Sequence, residues 1–233
     1  MIRFAAPLLL AVLPVHAADF PTVGTLVQDE FRALSEDLGA ALSYKGVTPA
    51  TALGLLGFDV GVEVTETRME NSRAFALAGA GGRSRLVVPK VHVHKGILAG
   101  LDVGAFVGGA PQVDAALFGA DIRYTLVDDG LVSPAVGVRL SGTKATRTGD
   151  LDISTAALDL TVSKRFTAVT PYAGGGVVRV DSSVRGSGLA DERFNRSRYF
   201  AGVNVNLLAA NLAFEAERMG DNTSLSAKVG LRF

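Results

Sequence analysis

Long runs of this sequence alternate between apolar and polar residues, and this alternation constrains the fold more than any other feature. In segment 58–65, Phe58, Val60, Val62 and Val64 share one parity, whereas the intervening positions are polar or glycine. Successive side chains of a β-strand point to opposite faces, so the pattern predicts a strand with one apolar and one polar face. Similar segments recur from about residue 53 to the last residue.

Ten such segments can be delimited, and an even number is typical of single-chain bacterial outer-membrane barrels. The predicted strands are 54–66, 85–94, 97–108, 113–127, 131–146, 151–166, 170–182, 198–208, 211–219 and 223–233. The sequence therefore predicts an all-β fold, a single transmembrane antiparallel up-and-down β-barrel of about ten strands, with apolar residues facing lipid. A soluble sandwich, in which the apolar parity would face a core, is the alternative.

The lengths of the connections favour the barrel. The predicted connections after even-numbered strands are tight, at 95–96, 128–130, 167–169 and 209–210. The two longest connections, 67–84 and 183–197, both follow odd-numbered strands. Outer-membrane barrels show this asymmetry between short periplasmic turns and long extracellular loops, and an even strand number predicts both termini in the periplasm.

Aromatic residues near the predicted periplasmic end support the same orientation. They lie on the outward parity at Phe58, Tyr124, Phe166, Tyr172 and Phe233. Aromatic side chains at the membrane–water boundary are typical of barrels, so this set predicts an interfacial girdle.

The first seventeen residues have the pattern of a signal peptide. A short positive start with Arg3 precedes an apolar run to Leu13, and the small residues Val15 and Ala17 fit a cleavage site. Cleavage would change the net charge from zero to about −1. This balance argues against a nucleic-acid binder, and the absence of cysteine excludes disulfides and thiolate metal sites.

Residues 25–44 have apolar side chains at helical spacing, with Thr25 and Gln28 as a capping box and Asp37 on the polar face. We therefore expect a signal peptide at 1–17, a periplasmic amphipathic helix segment at 18–50 and the transmembrane barrel at 51–233. The helix could plug the barrel mouth, lie on the membrane surface or dock on a partner.

The inward parity carries charges of both signs, which predicts a charge network in the lumen. Its expected members are Asp59, Glu63, Lys90, His92, Asp102, Asp121, Arg123, Arg139, Asp159, Arg165, Arg179, Glu215, Glu217, Lys228 and Arg232. A ten-stranded barrel has room for little more than its own side chains, and an unpaired buried charge is costly. We therefore expect the charges to pair and close the lumen, with a thin charged pore as the alternative.

Two histidines are the strongest candidates for chemistry. His92 and His94 share a strand face with Lys90, a spacing that a metal site or a proton relay could use. The local sequence lacks a third ligand, and the lysine would repel a cation. Ser197 and Asp191 have no nearby histidine that would make a hydrolase site. We predict no catalytic residue, no metal site and no cofactor.

Several stretches also match a known pattern. They are EFRALSEDLGAALSYK at 30–45, GFDVGVE at 57–63, the segment 88–96, TPYAG at 170–174 and SAKVGLRF at 226–233. In these motifs the chain resembles a group of uncharacterised proteobacterial outer-membrane β-barrel proteins over essentially its whole mature length. The resemblance implies a small outer-membrane barrel without an assigned activity, and it implies that Phe233 is the signal read by the barrel-assembly machinery.

The sequence therefore predicts an exported, non-enzymatic outer-membrane β-barrel with a structural or interaction role and a charge-paired lumen. The alternative is a narrow passive channel for small solutes, gated or plugged by the N-terminal helix. Expected partners are outer-membrane lipids, lipopolysaccharide phosphates at the loop arginines, and the barrel-assembly machinery during biogenesis. The sequence identifies no other protein partner.

Overall fold

The computed structural model describes residues 20–233, so the predicted signal peptide lies outside the described residues. Ten antiparallel strands form a closed barrel. Two α-helices accompany them, α1 at Gln28–Leu42 and α2 at Ser72–Leu77. The strands are β1 Phe58–Arg68, β2 Arg85–Leu98, β3 Leu101–Ala110, β4 Ala115–Val127, β5 Ala135–Thr146, β6 Leu151–Ser163, β7 Val169–Val184, β8 Glu192–Leu207, β9 Ala210–Met219 and β10 Asn222–Arg232. Neither described helix is both long enough and apolar enough to cross a bilayer.

Each strand pairs with its neighbours in sequence, and the first and last strands complete the ring. Val62 of β1 lies opposite Val229 of β10, and Glu63 lies opposite Lys228. Closure pairs the backbone groups that an open sheet would leave at its edges. The predicted fold class, an up-and-down barrel of ten strands, is confirmed.

The largest error in the predicted boundaries lies between β7 and β8. The expected loop 183–197 is shorter, at 185–191, because the side chains of β8 alternate from its first residues. Phe194 is buried, whereas Arg193 and Asn195 are exposed. The charges in this stretch suggested a loop, but Arg193 lies on the outward face of the strand, and Glu192 and Arg196 pair with Arg32 and Glu36 of α1.

The two ends of the barrel differ in their connections. We call the end formed by 99–100, 128–134, 164–168 and 208–209 the turn end. We call the other end, formed by 69–84, 111–114, 147–150, 185–191 and 220–221, the loop end. The longest connection, 69–84, contains α2.

The residues before β1 pass through the lumen from the loop end to the turn end. At the loop end, the Thr22 hydroxyl donates to the Leu77 carbonyl at 2.6 Å, and the Phe20 and Phe75 rings are 6.1 Å apart. Helix α1 follows and contacts β1, β2, β6, β7, β8 and β10, so the wall surrounds it. At the turn end, the Lys95 ammonium donates to the Leu55 carbonyl at 2.6 Å.

Of the three positions expected for the helix of segment 18–50, this path has the one in which the helix plugs the barrel. The helix lies inside the barrel near the loop end, and the described chain enters from that end. The expectation that both termini share one end holds for β1 and β10 but is wrong for Phe20. The capping residue also differs, because the Glu30 carboxylate accepts from the Val27 N–H at 3.3 Å while Thr25 bonds Thr22 instead.

Near the turn end and in the middle of the wall, apolar side chains face outward and charged side chains face inward. Leu158 of β6 and Leu225 of β10 are each 59% exposed, whereas Asp59 and Asp159 are buried. Both parities therefore have the predicted orientation over most of the wall.

Near the loop end the polarity of the wall is inverted. Leu86, Ile153, Val178 and Val180 are buried on the inner face, in one cluster with the apolar side of α1. Outward positions at the same level carry ion pairs, such as Lys144 with Asp152 and Arg179 with Asp181. The helix supplies an apolar filling here, so the inner wall is apolar and the outer wall is polar.

Strand β7 shows how this inversion misleads a sequence prediction. Arg179 was expected in the lumen, but its side chain is 57% exposed on the outer face. Tyr172 was expected in the outer aromatic girdle, but it is buried in the lumen. The inward residues Val178 and Val180 pack against α1, so the apolar parity of β7 faces inward near the loop end.

The close contact between helix α1 and the inner wall can be tested by substitution. A Cβ on Gly39 would lie 2.6 Å from Cγ2 of Val180. We expect Gly39→Leu to destabilise the fold by about 1–3 kcal/mol through overpacking. The temperature at which the compact band is lost on SDS gels measures this loss, and Val180→Ala in the same chain should restore part of it. Additive losses in the double variant would contradict this contact.

Candidate functional site

The site with the most unusual chemistry is the lumen around segment 43–57. Of the predicted charge network, every member except Arg165 and Arg179 lies on the inner face. Arg165 belongs to the turn 164–168, is 55% exposed and lies 3.7 Å from Asp129. It was assigned to the lumen because the predicted strand ran to 166, whereas β6 ends at Ser163.

Asp159 organises one cluster of the lumen. Its carboxylate accepts from Arg139 at 2.9 Å and from Arg198, whose side chain is completely buried. Arg198 also donates to the Tyr44 carbonyl of the N-terminal segment at 2.6 Å. This cluster therefore joins β5, β6 and β8 to the segment that fills the lumen. The sequence prediction missed Arg198, because that residue stood at the first position of the predicted strand 198–208, where its face was not assigned.

Lys45 of the N-terminal segment supplies a second buried pair. Its ammonium contacts the Glu217 carboxylate of β9 and donates to the Ala40 carbonyl at 2.7 Å and to the Ser43 hydroxyl at 2.9 Å. Three donors of Lys45 thus have three acceptors in a region with little water access. The position of Lys45 is fixed by both the wall and the end of α1.

Asp59 and Asp121 each lie within hydrogen-bond distance of a histidine. His92 Nε2 lies 3.1 Å from Asp59, which also contacts Lys228 at 3.2 Å. His94 Nε2 lies 3.0 Å from Asp121, and the Tyr44 hydroxyl donates to the same carboxylate at 2.5 Å. The second histidine therefore links the wall to the N-terminal segment.

Asp59, His92 and His94 have donor atoms within 4.8 Å of one another, a grouping that a metal ion could use. Sequence analysis missed the third member because Asp59 lies on the neighbouring strand, opposite His94 in the hairpin register. Lys228 and Arg232 already lie 3.2 and 3.8 Å from the Asp59 carboxylate. A divalent cation would add charge to a site that is already compensated, so we assign these residues to the charge network.

Near the turn end, wall side chains bind the backbone of the N-terminal segment. The Leu53 N–H donates to both oxygens of Asp102 at 3.1 Å, and Arg123 lies 3.2 Å from the same carboxylate. The Thr48 hydroxyl accepts from Arg123 at 3.1 Å and from Arg232 at 3.2 Å. These contacts hold an irregular stretch of chain in one position.

At the loop end, Asp37 of α1 is completely buried and binds two asparagines. Its carboxylate accepts from the Asn71 backbone at 2.7 Å and from the Asn222 side chain at 2.8 Å. Burial raises the pKa of Asp37, and the hydrogen bonds from both asparagines oppose that shift. The helical pattern had assigned Asp37 to a solvent-facing side, and only the loop packing reveals its partners.

The remaining inward acids differ in their pairing. Glu63 forms an ion pair with Lys90 at 2.6 Å across the β1–β2 hairpin. Glu215 is buried on β9, and no cation of residues 20–233 lies within ion-pair distance of it. The arrangement is thus a nearly complete set of ion pairs between the wall and the segment that runs through the lumen.

Comparisons with known proteins concern the fold. No protein-family profile matches the sequence, and no curated protein matches it. The translocator domain of autotransporter NalP from Neisseria meningitidis is 16% identical, with a TM-score of 0.45, covering 90% of this chain and 99% of that domain. The KdgM porin in complex with disordered oligogalacturonate is 6% identical, with a TM-score of 0.40, covering 76% of this chain and 99% of the porin. The N-terminal β-barrel domain of Pseudomonas aeruginosa OprF is 14% identical, with a TM-score of 0.38, covering 75% of this chain and 97% of that domain.

The Asp159 cluster provides a direct test of the lumen network. Asp159→Asn removes the charge that two buried arginines share, so we expect a loss of about 3–5 kcal/mol in the free energy of unfolding. Urea unfolding of the purified protein in detergent measures this loss. Asp181→Asn, which changes an exposed pair on the outer face, should leave stability nearly unchanged. Equal effects of the two substitutions would contradict the central role of Asp159.

Proposed function

We propose that this protein is an outer-membrane β-barrel with a structural or interaction role, whose lumen is closed by its own N-terminal segment. The observation that carries the proposal is that residues 20–57 occupy the lumen from one end to the other and pair with its charges. A non-enzymatic role is part of the proposal, because the two lumen histidines are engaged with carboxylates of the network.

The outward apolar belt supports insertion in a membrane. Phe214, Leu140 and Val229 are 55%, 58% and 49% exposed on three different strands. Soluble monomers rarely expose continuous apolar surfaces of more than a few hundred Å². A belt that follows the barrel all round is therefore better explained by contact with lipid chains.

The height of the belt also fits a bilayer. On β7 the outward residues from Val169 to Val177 are apolar or glycine, and the next outward residue is Arg179. Nine residues of a tilted strand span about 25 Å of hydrocarbon. The charged outer wall beyond Arg179 then lies in water, at the level where α1 forms an apolar core.

The outer membrane is the location that fits the other features of the chain. The signal-peptide pattern predicts export, and lipid-facing strands without a membrane-spanning helix fit a barrel of that membrane. We place the turn end in the periplasm and the loop end outside the cell. Exposed arginines at the loop end, including Arg68 and Arg85, are then at the level of lipopolysaccharide phosphates.

The closed lumen predicts electrical silence. Planar bilayers containing the full chain should show no conductance steps, because in the proposed closed barrel the ion pairs and segment 43–57 block the water path. The Ser35 and Ser182 hydroxyls lie 2.6 Å apart, so Ser35→Cys with Ser182→Cys should lock α1 to β7 in a chain that has no native cysteine. Conductance should be absent before and after reduction of this disulfide.

The same disulfide-locked variant distinguishes the closed barrel from the alternative, a narrow channel. Steady openings of the reduced form that vanish on oxidation would favour a channel gated by α1 and would contradict the closed barrel. The two single-cysteine variants control for effects of the substitutions alone.

The threaded path predicts the side on which the N-terminal segment begins. An epitope inserted between Asp19 and Phe20 should bind antibody on intact cells, because Phe20 lies at the loop end. An epitope inserted in the turn 208–209 should bind antibody only after the outer membrane is permeabilised. The opposite result for both epitopes would reverse the orientation proposed here.

A further inference from the structure

The turn end carries large apolar side chains at positions where short turns usually carry polar ones. Their exposed fractions are extreme, with 98% for Leu131, 88% for Val132 and 102% for Leu208. They belong to a set that has members in or next to every connection of this end and in the residues before β1. We call this set the apolar turn ring: Leu56, Leu98, Leu131, Val132, Phe166 and Leu208.

Local structure gives no reason for an apolar residue at Leu208. Its φ of 58° lies in the left-handed region, which favours glycine or asparagine over a residue with a branched side chain. A side chain that is fully exposed gains no packing within the chain to offset that conformation. The residue therefore fits a partner outside the chain that is itself apolar.

The turn ring is continuous with the outward apolar belt. Leu207, at the end of β8, is 54% exposed and leads directly to Leu208. Leu126 and Val127 are exposed at the end of β4 and lead to the connection that holds Leu131. After β8 the belt thus runs without a break into the tip of the turn. After β4, Asp128 and Asp129 stand between Val127 and Leu131, and Asp129 pairs with Lys164 at 3.1 Å and Arg165 at 3.7 Å.

The contrast with the loop end indicates which occupant the ring fits. At the loop end, exposed charges pair in or next to the connections, such as Arg147 with Asp114 and Arg218 with Asp221. At the turn end, the half-exposed Arg165 stands next to Phe166, the combination of cation and aromatic ring found at lipid headgroups. A lipid leaflet explains both the continuity with the belt and the presence of a cation at its boundary.

We propose that the apolar turn ring is inserted into the periplasmic leaflet, so that lipid covers the tips of the turns as well as the belt. This inference rests on the proposed function, since it requires that the belt faces a bilayer. It makes the placement of the barrel asymmetric: the turn end is immersed in lipid, and the wall around α1 projects from the opposite surface. The partner of this end is therefore the phospholipid itself.

The chain contains no tryptophan, which allows single-tryptophan variants to report depth in the bilayer. The variants are Leu131→Trp and Leu208→Trp in the ring, Phe214→Trp in the belt and Arg147→Trp at the loop end. Each full-length protein is folded into phosphatidylcholine vesicles whose acyl chains carry bromine, with unbrominated vesicles as the reference. Loss of the compact band on SDS gels identifies any variant that fails to fold, and the two ring positions serve as replacements for each other.

We expect bromolipid to quench the two ring variants to an extent similar to Phe214→Trp, and acrylamide in the water to quench mainly Arg147→Trp. Ring variants that respond to acrylamide and not to bromolipid, while Phe214→Trp responds to bromolipid, would overturn the inference and leave the proposed function standing. Ring variants shielded from both quenchers would also overturn it, because another protein or a second copy would then cover the ring. A belt variant insensitive to bromolipid would contradict the proposed function itself.

Discussion

Closing ten strands into a ring creates an interior that has to be filled, and the rest of the structure depends on how this is done. A helix with its side chains is about 10–12 Å across, so the lumen accommodates α1 and little else at its level. Below the helix, the narrower filling of segment 43–57 leaves space for long polar side chains from the wall. The apolar inner wall near the loop end and the charged inner wall below it are thus two solutions to one packing requirement.

The polar and charged groups of the lumen also supply hydrogen-bond partners to the backbone of the N-terminal segment. Segment 43–57 forms neither helix nor strand, so its N–H and carbonyl groups need other partners once they leave water. Arg198 donates to the Tyr44 carbonyl, and Asp102 accepts from the Leu53 N–H. At Ala50, the N–H donates to the Ser163 hydroxyl and the carbonyl accepts from the Thr125 hydroxyl. The inward polar parity is therefore complementary to a particular stretch of chain as well as to itself.

Sequence reasoning found the strands because period-two alternation is a local property, visible in Phe58 to Val64 without knowledge of any neighbour. It failed for β7, where the rule that apolar residues face outward assigned Tyr172 and Arg179 to the wrong faces. That rule assumes a polar lumen, and Val178 and Val180 meet an apolar helix instead. The proximity of Asp59 to His92 and His94 depends on the register between β1 and β2, which the alternation alone does not determine.

The way α1 is buried bears on whether the lumen can open. Its apolar residues, with Phe31 and Leu34 completely buried, pack against inward side chains such as Leu86 of β2, Ile153 of β6 and Val180 of β7. Movement of the helix out of the barrel would expose these apolar surfaces of the wall to water and would separate Asp37 of the helix from its asparagine partners. A gate needs two states of similar free energy. An open state would lose the packing between α1 and the wall, and no other contact would replace it. Helix α1 thus behaves as the core around which the ring closes, which favours a closed barrel over a gated channel.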